Sequence, residues 1–183
     1  FVDDAIPMRD GERGRQPRPE TIPAEFRDWL GTVSIARTVP ELRKFVEAGG
    51  RLIAIGSSTS IGYHLGLPMR NALVERGAAG DLPLPSEKFF VPGSILEARI
   101  DTSHPLAYGI PDPVNVFFDD SPSFRLLPEA PRHGVVPVAW FGSPSPLRSG
   151  WAWGQQYLDQ TVQIADARIG KGHLLLFAPE IAW

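Results

Sequence analysis

The clearest pattern in the chain runs from residue 38 to residue 56. Leu42, Phe45 and Val46 recur at helical spacing, Gly49-Gly50 follow, and Arg51-Leu-Ile-Ala-Ile-Gly56 is then almost continuously apolar. The spacing predicts a helix with Thr38 as N-cap, Glu41 completing a capping box, and the glycine pair as a left-handed exit. The apolar run predicts a short strand buried on both faces. The turn Gly56-Ser-Ser-Thr-Ser-Ile-Gly62 and a short helix through His64-Leu65 complete a helix, strand, turn, helix order, the grammar of a parallel α/β sheet. Upstream, Phe26, Trp29 and Leu30 predict a helix over 21–30 with Pro23 in its first turn. Residues 3–23 lack apolar periodicity and read as a polar surface loop.

Beyond residue 85 the pattern changes. Residues 88–91, 95–100, 114–118, 135–141 and 162–169 read as strands, most of them separated by Pro or Gly turns. Gly170-Lys-Gly172 joins 162–169 to a further strand, 173–177, as a hairpin. The expected fold is therefore α/β, a parallel sheet with helices whose second half is strand-rich. Phe1-Val2 reads as the end of an apolar strand truncated before Phe1, and Ile181-Ala-Trp183 as a stop in mid-element. A single domain over 1–183, cut from a longer chain, is expected.

Composition narrows the function classes. The chain has 183 residues, 43% of them apolar and 10% aromatic, which excludes a disordered segment. A net charge of −3 argues against a nucleic-acid partner, and no apolar run is long enough for a membrane span. The absence of cysteine removes disulfides, thiolate metal sites and a Cys nucleophile. Glycine (18) and proline (19) make up a fifth of the chain, so short elements and shaped loops are expected.

The turn that carries Ser57 and Ser58 lies between a strand and a helix, where open α/β sheets bind ligands. It is not a nucleophile elbow, because Ser60 stands where G-x-S-x-G needs glycine, and no Gly-Lys-Ser/Thr makes it a P-loop. Its hydroxyls have three readings: helix caps, ligand contacts, or a catalytic serine. His64, His104, His133 and His173 have no His or carboxylate at i+3 or i+4, so no metal motif is formed. His104, before Pro105, reads as a bond to its own turn. Asp119-Asp120 end a strand before Ser121-Pro122, where an Asx-type turn competes with an acid–base pair. Of the aromatic group Trp140, Phe141, Trp151 and Trp153, the last two stand one residue apart in Ser149-Gly-Trp-Ala-Trp-Gly154, on one side of an extended segment. Core packing and a platform for a partner domain or a sugar-like ligand are both open.

Taken in order, Leu42-Arg-Lys-Phe45, Gly49-Gly50, Ile55-Gly-Ser-Ser58, Leu65-Gly-Leu-Pro68, Val91-Pro-Gly-Ser94, Ser149-Gly-Trp-Ala-Trp-Gly154 and Gly170-Lys-Gly172 resemble one family. It is the C-terminal domain of bacterial secreted zinc carboxypeptidase-like proteins, and the likeness extends over nearly the whole chain. The resemblance implies a flavodoxin-like fold, similar to class I glutamine amidotransferases. It also implies that zinc and the catalytic residues belong to a separate N-terminal peptidase domain of the same chain. Amidotransferase-like domains carry a Cys nucleophile at the turn that here holds Ser57 and Ser58, so no triad and no zinc ligand transfers to this sequence. The expectation is a non-catalytic accessory domain, without catalytic residue, metal or cofactor of its own, in a secreted or periplasmic protein. Its contact surfaces would be the Gly56 turn and the Trp151/Trp153 loop. The alternatives are a serine-dependent hydrolase at that turn, or a carbohydrate- or cell-wall-binding module on the tryptophans.

Overall fold

The computed structural model describes residues 2–3, 6, 17–31, 33–77 and 80–181. The first part contains β1 (Val2–Asp3), α1 (Thr38–Glu47), β2 (Arg51–Ile55) and α2 (Ile61–His64). Three short strands follow: β3 (Met69–Asn71), β4 (Val74–Gly77) and β5 (Gly80–Pro83). The remainder is β6 (Ser94–Ile100), β7 (Val114–Phe118), β8 (Phe124–Leu126), β9 (Val135–Trp140), β10 (Leu147–Ser149), β11 (Val162–Ile169) and β12 (Gly172–Phe177). Short 3-10 turns link several of them, among them Gly56–Ser60, Pro105–Ala107 and Gln155–Leu158.

Ten strands form one mixed sheet along the path β1-β2-β12-β11-β9-β6-β10, with β7 also on β6 and β8 joining β3 to β11. The parallel sheet expected from the sequence contracts to a corner. Among the described residues only β1–β2 and β2–β12 pair in parallel, and the other pairings are antiparallel. The reason is connection length. A parallel neighbour needs a crossover of a dozen residues or more, usually a helix. After α2, however, the described residues hold no further α-helix to make such a crossover, only 3-10 turns and loops between strands. The strand-rich second half is as expected.

One face of the corner is sealed by α1, whose Val39, Leu42 and Val46 pack on Leu52, Ala54, Leu174, Leu176 and Ala167. A second core gathers Val91, Leu96, Ala98, Phe118, Phe141 and Leu158 around the β6–β7 hairpin. Phe45 departs from the expected stripe. It is half exposed, and its ring lies over Gly50, where any Cβ would collide with it. The capping box is likewise absent. Thr38 is already helical, its Oγ1 accepts from the Ser34 N–H at 3.1 Å, and Glu41 turns to Lys44 at 2.7 Å. Ser34 instead supplies the start of the helix, its carbonyl accepting from Thr38 N–H at 2.8 Å.

Other expectations shift in detail. Residues Ala24–Trp29 form a 3-10 helix, and Trp29 lies outside with its ring edge-on to Phe26 at 5.3 Å. Residues 88–91 form no strand, and only Phe90 pairs, with Trp153. The strands expected over 95–100, 114–118, 135–141 and 162–169 and the hairpin at Gly170-Lys-Gly172 match β6, β7, β9, β11 and β12 to within a residue. Of the polar loop at 3–23, residues 4–5 and 7–16 lie outside the described residues, as do Phe1, Ala182 and Trp183; Asp3 belongs to β1.

Arg99 at the end of β6 grips Asp112 in the loop before β7, with Nε donating to Oδ1 at 2.8 Å and Nη2 to Oδ2 at 2.6 Å. Those bonds, with one from the Ile100 N–H at 3.1 Å, hold the Asp112 carboxyl below the usual carboxylate range. A carboxyl lowered on folding adds stability above its unfolded value and loses it as pH falls through the folded one. Asp112→Asn therefore lowers the urea midpoint at neutral pH. The gap to wild type closes by about pH 2, which unfolding curves at the two pH values check directly.

Candidate functional site

The turn after β2 stands at the C-terminal end of the parallel strands, where α/β sheets place ligands. Here its hydroxyls grip the backbone of the chain itself. The Ile6 N–H donates to Ser58 Oγ at 3.2 Å, Ser60 Oγ donates to the Ile6 carbonyl at 2.8 Å, and Thr59 Oγ1 donates to the Gly56 carbonyl at 2.6 Å. Ser58, Thr59 and Ser60 are buried, and Ile6 is 3% exposed between them. The residue after β1 is thus clamped by both its N–H and its C=O. Ser57 lies on the exposed side of the turn. Tyr63 on α2 is buried against the core, and burial pushes its phenol up, so it stays protonated.

Near the same end of the sheet, Ser123, Thr161 and Gln163 form a buried polar group. Gln163 Nε2 donates to Ser123 Oγ, which in turn shares a bond of 3.1 Å with Thr161 Oγ1. Gln163 Oε1 is the one buried side-chain oxygen without a partner among the described residues.

The tryptophan loop is built differently. Trp151 is 62% exposed and Trp153 55%, while Ala152 between them packs into the second core. Ser94 Oγ accepts from the Trp151 N–H at 2.9 Å and donates to its carbonyl at 2.6 Å. Trp153 exchanges both backbone bonds with Phe90, at 2.9 and 3.0 Å, and its indole N–H donates to the Glu87 carbonyl at 2.8 Å. Both flanking glycines are required. Gly150 (φ +100°) and Gly154 (φ +74°) adopt left-handed backbone, and a Cβ would strike Ser94 at the first and the Lys88 carbonyl at the second. The motif is a rigid mount that turns Trp151, Trp153 and the partly exposed Phe90 outward. Trp140 and Phe141, by contrast, belong to the interior cores.

His104 caps its own turn as expected, its Nδ1 accepting from the Leu106 N–H at 3.3 Å. What the sequence did not show is a carboxylate shared by two histidines. Asp166 on β11 meets His104 Nε2 at 3.3 Å and His173 Nδ1 at 2.8 Å. Asp166 and His173 lie seven residues apart across the β11–β12 hairpin, whereas His104 comes from a turn far away in sequence, so the shared carboxylate has no complete local signal. Asp119-Asp120 makes its turn through Ser121 Oγ, which accepts from the Asp119 N–H at 3.2 Å. His64 ends α2 and His133 ends a 3-10 turn. Among the described residues no trio of His, Asp or Glu side chains is arranged to hold a metal ion.

No family model matches the sequence, and no curated protein matches it. Among solved structures, a β-galactosidase from Bacillus circulans sp. alkalophilus is similar with a TM-score of 0.47 and 10% identity, over 78% of this chain and 18% of that one. A ThuA-like protein from Bacteroides uniformis gives 0.45 and 9%, over 78% and 54%. A cytoplasmic protein from Salmonella typhimurium gives 0.39 and 14%, over 80% and 50%. The chain thus spans under a fifth of the β-galactosidase and about half of the other two.

Two outcomes follow from this geometry. Gly154→Ala lowers the unfolding free energy by at least about 2 kcal/mol, since left-handed strain adds to the collision with Lys88; chemical denaturation measures it. A fluorophosphonate probe leaves Ser58 unmodified in peptide mass spectra, because its Oγ is buried and bonded to Ile6.

Proposed function

We propose that this chain is a non-catalytic accessory domain that docks onto a neighbouring domain through Trp151, Trp153 and Phe90. The observation that carries the reading is the mount itself: two large indoles held outward on a backbone that two glycines and Ser94 make rigid. Preorganised aromatic side chains lose little entropy on binding and dominate interface energetics. The Ser-rich turn supports the same reading, since Ser58, Thr59 and Ser60 hold backbone.

The sequence resemblance names the partner, a zinc carboxypeptidase-like domain N-terminal to this one in a secreted or periplasmic chain. There zinc would polarise the scissile carbonyl and activate water. In the same reading the parallel corner β1-β2-β12, with its turn and α2, is the core of a flavodoxin-like, class I amidotransferase-like fold onto which the antiparallel strands have been built. A carbohydrate- or cell-wall-binding module is the second reading. It draws on the placement of both indoles on one side of an extended segment, about 7 Å apart.

Trp151→Ala and Trp153→Ala are each expected to weaken association with the separately produced peptidase domain at least about tenfold, the effect of losing a central aromatic anchor. Isothermal titration calorimetry reads this, and unchanged affinity in both variants overturns docking through this face. Quenching of the wild-type tryptophan fluorescence by glycans, with no effect of the peptidase domain, selects the second reading.

A further inference from the structure

At the end of β2 and β12 opposite the Gly56 turn, two arginines and a histidine stand in register across three neighbouring strands. His173 on β12 is the Cα partner of Arg51 on β2 and of Arg168 on β11. Directly paired residues of adjacent strands project to the same face, and their neighbours Leu52, Leu174 and Ala167 fill the core under α1 on the other. Both arginines are exposed, and neither has a carboxylate partner among the described residues. Arg51 and Arg168 thus flank His173 two strands apart, and their two positive charges are unneutralised among the described residues.

The acidic group closest to the row serves another purpose. Asp166 is the only carboxylate on this face of β2, β12, β11 and β9, because its companions are Ile53, Leu175, Ile164 and Val136. It stands two residues from Arg168, yet its oxygens are taken by His173 Nδ1 at 2.8 Å and His104 Nε2 at 3.3 Å. His104 is itself fixed as an acceptor at Nδ1 by the Leu106 N–H, so its Nε2 carries the proton given to Asp166. His173 in turn donates from Nδ1 to the Asp166 carboxylate. Other charged groups on neighbouring segments are Lys171 in the hairpin turn, Glu47 on the helix side, paired with Arg43 at 3.7 Å, and Glu129, Arg132 and His133 in the turn that leads into Gly134 beside Arg168.

We propose that Arg51, His173 and Arg168 form a binding site for a phosphate group. The two arginines stand on strands on either side of the histidine, their Cα atoms about 10 Å apart. Each guanidinium fork can engage a separate pair of oxygens, which a tetrahedral phosphate offers and a single carboxylate does not. Asp166 holds the ring of His173 between the two arginine-bearing strands through Nδ1 at 2.8 Å.

The test is calorimetric titration of the whole chain at fixed ionic strength and neutral pH. The arms are inorganic phosphate, glycerol phosphate, and phosphatidylcholine vesicles doped with phosphatidic acid. Saturable binding in any arm, at least about tenfold weaker in Arg51→Gln/Arg168→Gln, supports the site. The arm that binds tells free, soluble-ester and lipid-borne phosphate apart. Trp151→Ala should leave phosphate binding unchanged, so this site fails or stands apart from the docking face. No binding in all three arms, or equal binding by the double-arginine variant, overturns it.

Discussion

β12 is hydrogen-bonded in parallel to β2 along five residues and antiparallel to β11 along six, so it joins the two styles of sheet in this molecule. The junction is sealed at one end by backbone meeting backbone. Lys171 N–H donates to the Glu47 carbonyl at 3.1 Å, and His173 N–H to the Gly50 carbonyl at 3.1 Å, so the β11–β12 hairpin interlocks with the exit of α1. No Cβ fits at Gly172, where it would collide with the carbonyls of Gly50 and Val46, and Gly170 is left-handed and pressed against Glu47. With the hairpin fixed, Leu174 and Leu176 point under α1 while His173, Leu175 and Phe177 face the other way. Each buried leucine contributes about 1.5–3 kcal/mol. The register that places them is the same one that places the polar residues of the opposite face.

The two ends of that junction have different chemistry. At the C-terminal end, where a doubly wound fold would expose amides and hydroxyls to a ligand, the turn closes on Ile6 and is filled by the protein. At the other end the polar groups point outward. Among the described residues Arg51 and Arg168 have no carboxylate partner, and Asp166 orients histidines. Away from both, the tryptophan mount uses glycine geometry to hold apolar surface in water. A protein that keeps exposed indoles on a rigid backbone accepts a standing solvation penalty, and binding of a partner relieves it.

Much of the fold was legible. The helix over α1, the strand after it, the short helix at His64 and five of the later strands follow from apolar spacing and from the position of glycine and proline. The departures share a cause. Thr38 and Glu41 have the spacing of a capping box, but Ser34, one turn earlier, had already satisfied the helix start. Phe45 has the spacing of a core residue, but Gly50 offered it a closer surface. The three-residue strands β3, β8 and β10 are too short to show a period; β10 is held by β6 and β8 by β11, and β3 pairs with β8.

For the candidate site, Trp151 and Trp153 were visible as a pair on one side of an extended segment, because alternation is a property of the local chain. That they face outward, and that Gly150 and Gly154 are obligatory, depends on Ser94 and Lys88, which arrive from a distant part of the sequence. Ser57 and Ser58 were equally visible as hydroxyls in a turn; only the packing of Ile6 decided what Ser58 bonds. Of the Arg51–His173–Arg168 row and the carboxylate between His104 and His173, only the part within the Gly170-Lys-Gly172 hairpin was local; Arg51 and His104 arrive from distant parts of the sequence. The sequence by itself determined which segments are helical or extended and which residues carry chemistry, since both depend on neighbours a few positions away. Tertiary structure alone decided which of those residues meet, because strand register converts separations of tens or a hundred residues into spacings of about 5 Å.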